Sequence, residues 1–212
     1  MTKFARAERD SLCDDLLVAG PDAPTLCSGW TTRDLATHLV IRDGRPDLII
    51  GPKLPVVGER ATKALREITN QPWPQLVAAV RSGPPRFSPA AIGAVDELIN
   101  HVEFFVHHED VLRSQPGTER RRLSSEQQRA LWSSLTKTAR LMFRKSPVGV
   151  ELVSPLGRHT AKAATDQGSV TLEGDPSELL LFAFGRQGRA EVTPLGAQAA
   201  IDALLAAKLG LA

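Results

Sequence analysis

The spacing of apolar residues changes partway along this 212-residue chain. Over the first two-thirds they recur at helical intervals. From Ser146-Pro147 onward short stretches alternate at every second position, as strands do. The two periods predict an α+β protein: a helical bundle over residues 1–146, then a small α+β domain over 147–212. The length allows it, since about 100–200 residues per domain gives one large domain or two small ones. In the first part, residues 2–18 carry Phe4, Ala7, Leu12, Leu16 and Leu17 at helix-like intervals and are broken by Gly20-Pro21. Thr31 with Asp34 reads as a helix cap, opening a second helix that runs to Asp47 and Ile50. Short helices are expected at 59–69 and 74–82, within a Pro- and Gly-rich stretch from 51 to 93. A long helix is expected from about Ala90 to Ser114, ahead of Pro116-Gly117. Another starts at Ser124 or Ser125 and runs to about Lys145. In the second part, 148–154, 158–165 and 169–173 are expected as a meander. Asp175-Pro176 opens a helix, 190–193 gives one more strand, and IDALLAAK gives the last helix.

Charge bounds the function. Lys and Arg number 26 against 24 acidic residues, a formal charge of +2. That argues against general nucleic-acid binding, which needs a basic surplus, and against a polybasic membrane tether. No apolar run approaches the roughly 18 residues of a spanning helix. The first ten residues, MTKFARAERD, are charged rather than leader-like. A cytoplasmic protein without membrane or nucleic-acid partners is expected. Cys13 and Cys27 form neither a metal pair nor a disulfide framework and read as small apolar residues. There is no Tyr, no phosphate loop, no nucleophile elbow and no H-E-x-x-H.

The segment Asn100-His-Val-Glu-Phe-Phe-Val-His-His-Glu-Asp110 carries the chemistry. On a helix, Glu103 and His107 are one turn apart, and Asp110 returns to the same face. Ile99, Val102 and Val106 share that stripe, so two carboxylates and an imidazole interrupt an apolar, core-facing surface. Unpartnered charge there is costly. Either Glu103 and His107 pair internally or they hold a metal ion together. His38, between Leu35 and Leu39, is either a hydrogen-bonded core histidine or the third ligand, since bundles build metal sites from inward side chains on facing helices. With His38, the set suits zinc, and iron, manganese or nickel also fit. Asp110 is either a helix-end carboxylate or the group that orients His107. His101, His108 and Glu109 fall on the other face and are expected at the rim. Gly185-Arg-Gln-Gly-Arg reads as a turn. Trp30, Trp73 and Trp132 are expected as packing anchors.

Ser28-Gly-Trp-Thr-Thr-Arg-Asp-Leu-Ala-Thr-His38-Leu and Glu103-Phe-Phe-Val-His107-His together resemble the DinB-like superfamily. Within it they are most similar to the mycothiol-dependent maleylpyruvate isomerase family of actinobacteria. The tail from Val170 to Arg186 resembles the sterol-carrier-like domain that many members add. The resemblance implies an N-terminal DinB-like four-helix bundle and a sterol-carrier-protein-like α+β domain. It implies metal ligands at His38, Glu103 and His107, a supporting role for Asp110, and an active-site arginine for which Arg186 is the nearest match. It also implies a divalent metal, zinc first, with mycothiol as the thiol, and bundles of this kind are often homodimers. The expected function is a metal- and thiol-dependent isomerase or S-transferase acting on a small electrophile. The alternatives are a non-catalytic metal-binding or sensing protein and a lipid-binding protein with a vestigial site.

Overall fold

The structure, a computed structural model, describes residues 3–45, 47–50, 58–83, 94–115, 117–118 and 120–210. It is α+β and divides into two compact units, Met1–Arg120 and Arg121–Ala212. Among the described residues no helix is long and apolar enough to cross a membrane.

The first unit is helical: α1 (Lys3–Ala19), α2 (Thr32–Gly44), α3 (Asp47–Ile50), α4 (Gly58–Thr69), α5 (Trp73–Ser82) and α6 (Ala94–Leu112). α1 packs along α6 and α5, and α2 packs on α5 and α4. Their apolar faces bury Leu12, Leu16, Leu35, Leu39, Leu76 and Phe104. The cap of α2 is the expected one: Thr31 and Asp34 each accept from the other's backbone N–H. α2 stops at Gly44, earlier than its pattern suggested, and Asp47–Ile50 is a separate turn of helix. Arg45 leaves the α region (φ −142°, ψ 57°), as residues before a proline tend to. The expected start of the long helix, residues 90–93, lies outside the described residues, as does the side chain of Ile99.

The second unit starts at Arg121 rather than at 147, because α7 (Ser125–Met142) packs on α8 (Pro176–Ala183) and on β2 (Gly157–Lys162). Ser124 caps α7 in a reciprocal box with Gln127. The sheet also contains β1 (Gly149–Ser154), β3 (Ser169–Glu173) and β4 (Thr193–Gly196), in the order β2-β1-β3-β4. It is not a meander. β1 and β2 form an antiparallel hairpin, whereas β3 lies on the other side of β1, parallel to it, pairing Val150 with Val170 and Leu152 with Leu172. These four residues are buried, so β1 and β3 form the inner ladder. The polar strand GRHTAK, with only Ala161 buried, takes the edge. β4 falls later than expected and pairs antiparallel with β3. α9 (Gln198–Ala206) follows.

Candidate metal centre

α2 and α6 deliver the three expected donors to one point. His38 Nε2 lies 3.3 Å from Glu103 Oε1, and His107 Nε2 lies 3.2 Å from the same oxygen. The three donor atoms lie within 4.8 Å of one another. Two ligands bound at about 2.0–2.1 Å to a tetrahedral zinc ion stand about 3.3 Å apart, so two edges of the triangle already have the separation of a zinc shell. A His₂-carboxylate donor set is also the chemistry such an ion takes. The residues present therefore fit a divalent metal.

His38 sits at the edge of the core. Leu35 and Leu39 are fully buried beside it, while its own side chain is 26% exposed. Trp30, half-exposed, lies against the His38 ring at 5.2 Å between centroids. It is therefore an exposed neighbour of that ring rather than the packing anchor expected from the sequence.

Asp110 is completely buried and faces the other side of the His107 ring, Oδ2 standing 3.0 Å from Nδ1. That is where a carboxylate that orients a metal-bound histidine belongs, and it is not a helix-end solubiliser.

Three further residues at the centre carry no signal in the sequence. Arg42, one turn after His38 on α2, places Nε 3.4 Å from Glu103 Oε1 and donates from Nη1 to Asn100 Oδ1 at 2.7 Å. Asp43 ties Arg42 (3.1 Å) to the buried Arg9 (2.7 Å). Cys27 is not simply a small apolar residue: its S–H donates to Asp110 Oδ2 at 3.2 Å, and Sγ is 3.9 Å from His107 Nδ1. The loop carrying it is pinned to α6 by Leu26 N–H donating to the Asp110 carbonyl (3.0 Å) and by Ser114 Oγ donating to the Pro24 carbonyl (2.6 Å).

The charges are strongly coupled. Burial alone would raise the Glu103 carboxyl. Hydrogen bonds with His107 and His38, and the charges of His107 and Arg42, outweigh it and hold the group well below the usual carboxylate range. Burial alone would lower His107. Its hydrogen bonds with Asp110, Cys27 and Glu103 outweigh that and keep the proton well above the ordinary imidazole range. A divalent ion would have to displace that proton from the Nε2 side.

The residues expected at the rim are instead buried. His108 is bracketed by Glu8 Oε1 at 2.7 Å and Asp15 Oδ2 at 2.6 Å, both on α1. His101 stacks on Phe4, and Glu109 pairs with Arg113 at 2.5 Å. α6 is covered on this face too, because α1 packs along it. Arg186 belongs to the second unit, where its guanidinium donates to the Phe184 carbonyl at 2.5 Å in the turn after α8.

No protein-family model matches the chain, and no curated protein matches it. Solved structures do. A crystal structure of the mycothiol-dependent maleylpyruvate isomerase is 19% identical, with a TM-score of 0.52, over 90% of each chain. That of a histidine-to-alanine mutant is 17% identical, with the same TM-score and coverage. The structural neighbours of this chain are thus mycothiol-dependent maleylpyruvate isomerase structures, and what they share with it is the fold.

Proposed function

We propose that the chain holds a divalent metal ion, zinc before others, on His38, Glu103 and His107. With a small thiol, by similarity mycothiol, it acts as an isomerase or S-transferase on a small electrophile. The observation that supports this most is the triangle of three donor atoms, with two edges at zinc-shell separation and Asp110 behind one ligand rather than among them. Bound there, zinc would supply the Lewis acidity that makes a coordinated thiol ionise near neutral pH.

The chain's own residues do the rest. Asp110 accepts from His107 Nδ1–H when the metal is held on Nε2, and so supports the tautomer that turns the Nε2 lone pair toward His38 and Glu103. Arg42 Nε stands 3.4 Å from Glu103 Oε1, the same oxygen that both histidines reach, and restrains the carboxylate there. Trp30 narrows the mouth beside His38 and offers an apolar wall to a bound thiol or electrophile. The same reading takes the first unit as a DinB-like four-helix bundle and the second as a sterol-carrier-like domain. The alternative, a non-catalytic metal-binding or sensing protein, calls for a closed coordination shell. Asp110 sits on the Nδ1 side of His107, opposite the donor Nε2, and does not close it.

The test is metal content followed by turnover. Purified protein should carry about one equivalent of metal and convert a reactive electrophile only when mycothiol is present, with the thiol consumed if the product is a conjugate and regenerated if it is an isomer. His38→Ala and Glu103→Gln should each lower metal affinity by more than the roughly 10–100-fold seen when only an outer partner is lost, and turnover should fall with it. Wild-type protein that takes up no metal, or His38→Ala with undiminished metal affinity, would overturn the reading.

A further inference from the structure

The thiol of Cys27 has no part in the function proposed above, yet it stands at the same histidine. It lies on the opposite side of the His107 ring from Glu103. Sγ is 3.2 Å from Asp110 Oδ2 and 3.9 Å from His107 Nδ1, and Oδ2 is 3.0 Å from Nδ1. In a tetrahedral zinc shell with bonds of about 2.3 Å to sulfur and 2.0–2.1 Å to nitrogen or oxygen, the corresponding edges are about 3.6, 3.6 and 3.3 Å. All three edges observed here agree with these to within roughly 0.4 Å. Sulfur, imidazole nitrogen and carboxylate oxygen, within 4.8 Å of one another, form a complete three-donor set.

We propose that Cys27, Asp110 and Nδ1 of His107 form a second metal-binding triad for a thiophilic divalent cation, cadmium or zinc, filled in place of the His38–Glu103–His107 triad. The exclusivity follows from the imidazole. A neutral histidine has one N–H and one lone pair. With the lone pair on Nε2, His107 serves the first triad and Nδ1–H donates to Asp110. With the lone pair on Nδ1, it serves the second and Nε2–H donates to Glu103. Each tautomer therefore finds an acceptor for its proton at 3.0 or 3.2 Å, and neither arrangement strands a donor. The two sets differ in softness: the first offers two nitrogens and an oxygen, the second a thiolate. Soft ions are drawn to the thiolate, and binding releases the Cys27 proton to solvent. The site needs little rearrangement. Leu26 and Pro24 are tied to α6, and the Cys27 N–H donates to Thr25 Oγ1 at 3.2 Å. The second triad shares His107 with the proposed function but needs neither His38, Glu103 nor turnover.

The experiment is a titration of the metal-free, full-length chain with cadmium, followed by thiolate-to-cadmium charge-transfer absorption and by equilibrium dialysis. Wild-type protein should develop the band and saturate at one ion per chain. Cys27→Ser, an exchange of one atom, should lose the band and bind cadmium at least about tenfold more weakly. Cys27→Ala should do the same, and circular dichroism of each metal-free variant checks that it folds. His38→Ala and Cys13→Ser should keep the band. No band in wild type, a band that survives Cys27→Ser, or loss of the band in His38→Ala would overturn the second triad. Two cadmium ions per chain would overturn its exclusivity. The two proposals fail separately: an intact cadmium band without thiol-dependent turnover sinks only the function, and turnover without a band sinks only the triad.

Discussion

Arg9 shows how far a single residue reaches in this molecule. It sits on α1 with its side chain 1% exposed, one of the largest fully buried side chains among the described residues. Its guanidinium reaches Asp43 Oδ2 at 2.7 Å, donates to the Val80 carbonyl at 3.2 Å, and lies 4.3 Å from the centre of the Phe104 ring. Gly83 makes room for it, since a Cβ there would stand 2.1 Å from Arg9 Nη1, on a backbone already at φ +70°. Burial pushes Arg9 down and Asp43 up, toward neutrality, and each one's charge opposes the shift in the other. Arg42 shares Asp43 and then touches Glu103, so a line of alternating charge runs from the core to the candidate metal centre. Removing one member of a buried pair strands the other and costs about 3–5 kcal/mol. Arg9→Met is expected to destabilise the protein toward the lower end of that range, because Arg42 still faces Asp43. Arg9→Met combined with Asp43→Leu should recover most of the loss. Urea denaturation of the two variants checks this, and a double variant no more stable than Arg9→Met would mean that the cost is packing rather than stranded charge.

Elements that form from local signals were legible in the sequence, and those set by distant partners were not. The caps at Thr31/Asp34 and Ser124/Gln127 are exchanges between residues three apart, so the chain displays them directly. Thr31→Ala should therefore cost about 1 kcal/mol, the usual value of a side-chain N-cap, in the denaturation of the metal-free protein. A loss near zero would mean that the packing of α2 alone fixes its start. The stripe on α6 was equally legible, since Glu103, His107 and Asp110 follow from helical spacing, and His38 follows from its place between Leu35 and Leu39. The opposite face of α6 was misjudged because its partners, Glu8 and Asp15, lie 100 and 93 residues away from His108. Cys27 was misjudged for the same reason, at 83 residues from Asp110. In the second unit the strands were visible as alternation, but their order was not. Parallel pairing of β1 with β3 depends on which strands supply two apolar residues to the buried face, Val150 and Leu152 against Val170 and Leu172, and β2, with only Ala161 buried, cannot replace either.

At the scale of the whole molecule, every donor of both triads lies within Met1–Arg120, so metal binding is linked to the stability of one unit. An ion present at a hundred times its Kd adds about 2.7 kcal/mol to whatever unfolds with the site. Hydrogen exchange in α2 and α6 should slow when metal is added, while exchange in β1 and β3 should not. The linkage also has a pH sign. In the metal-free protein the Glu103 carboxyl is held below its ordinary value of 4.5, so its contribution is present above that value and lost as pH falls through the depressed one. His107 is held above its ordinary 6.5, so its contribution is full below 6.5 and is lost as pH rises through the raised value. The pair thus stabilises the metal-free unit most between 4.5 and 6.5. Metal reverses the upper limb, because an ion on either nitrogen of His107 competes with a proton that becomes easier to remove as pH rises. The slowing of exchange in α6 caused by metal should therefore be small in acid and grow as pH rises toward the raised value of His107. A metal effect that stays the same size as pH rises would show that binding displaces no proton from His107. The imidazole would then not be a ligand through either nitrogen, and both triads would fall together.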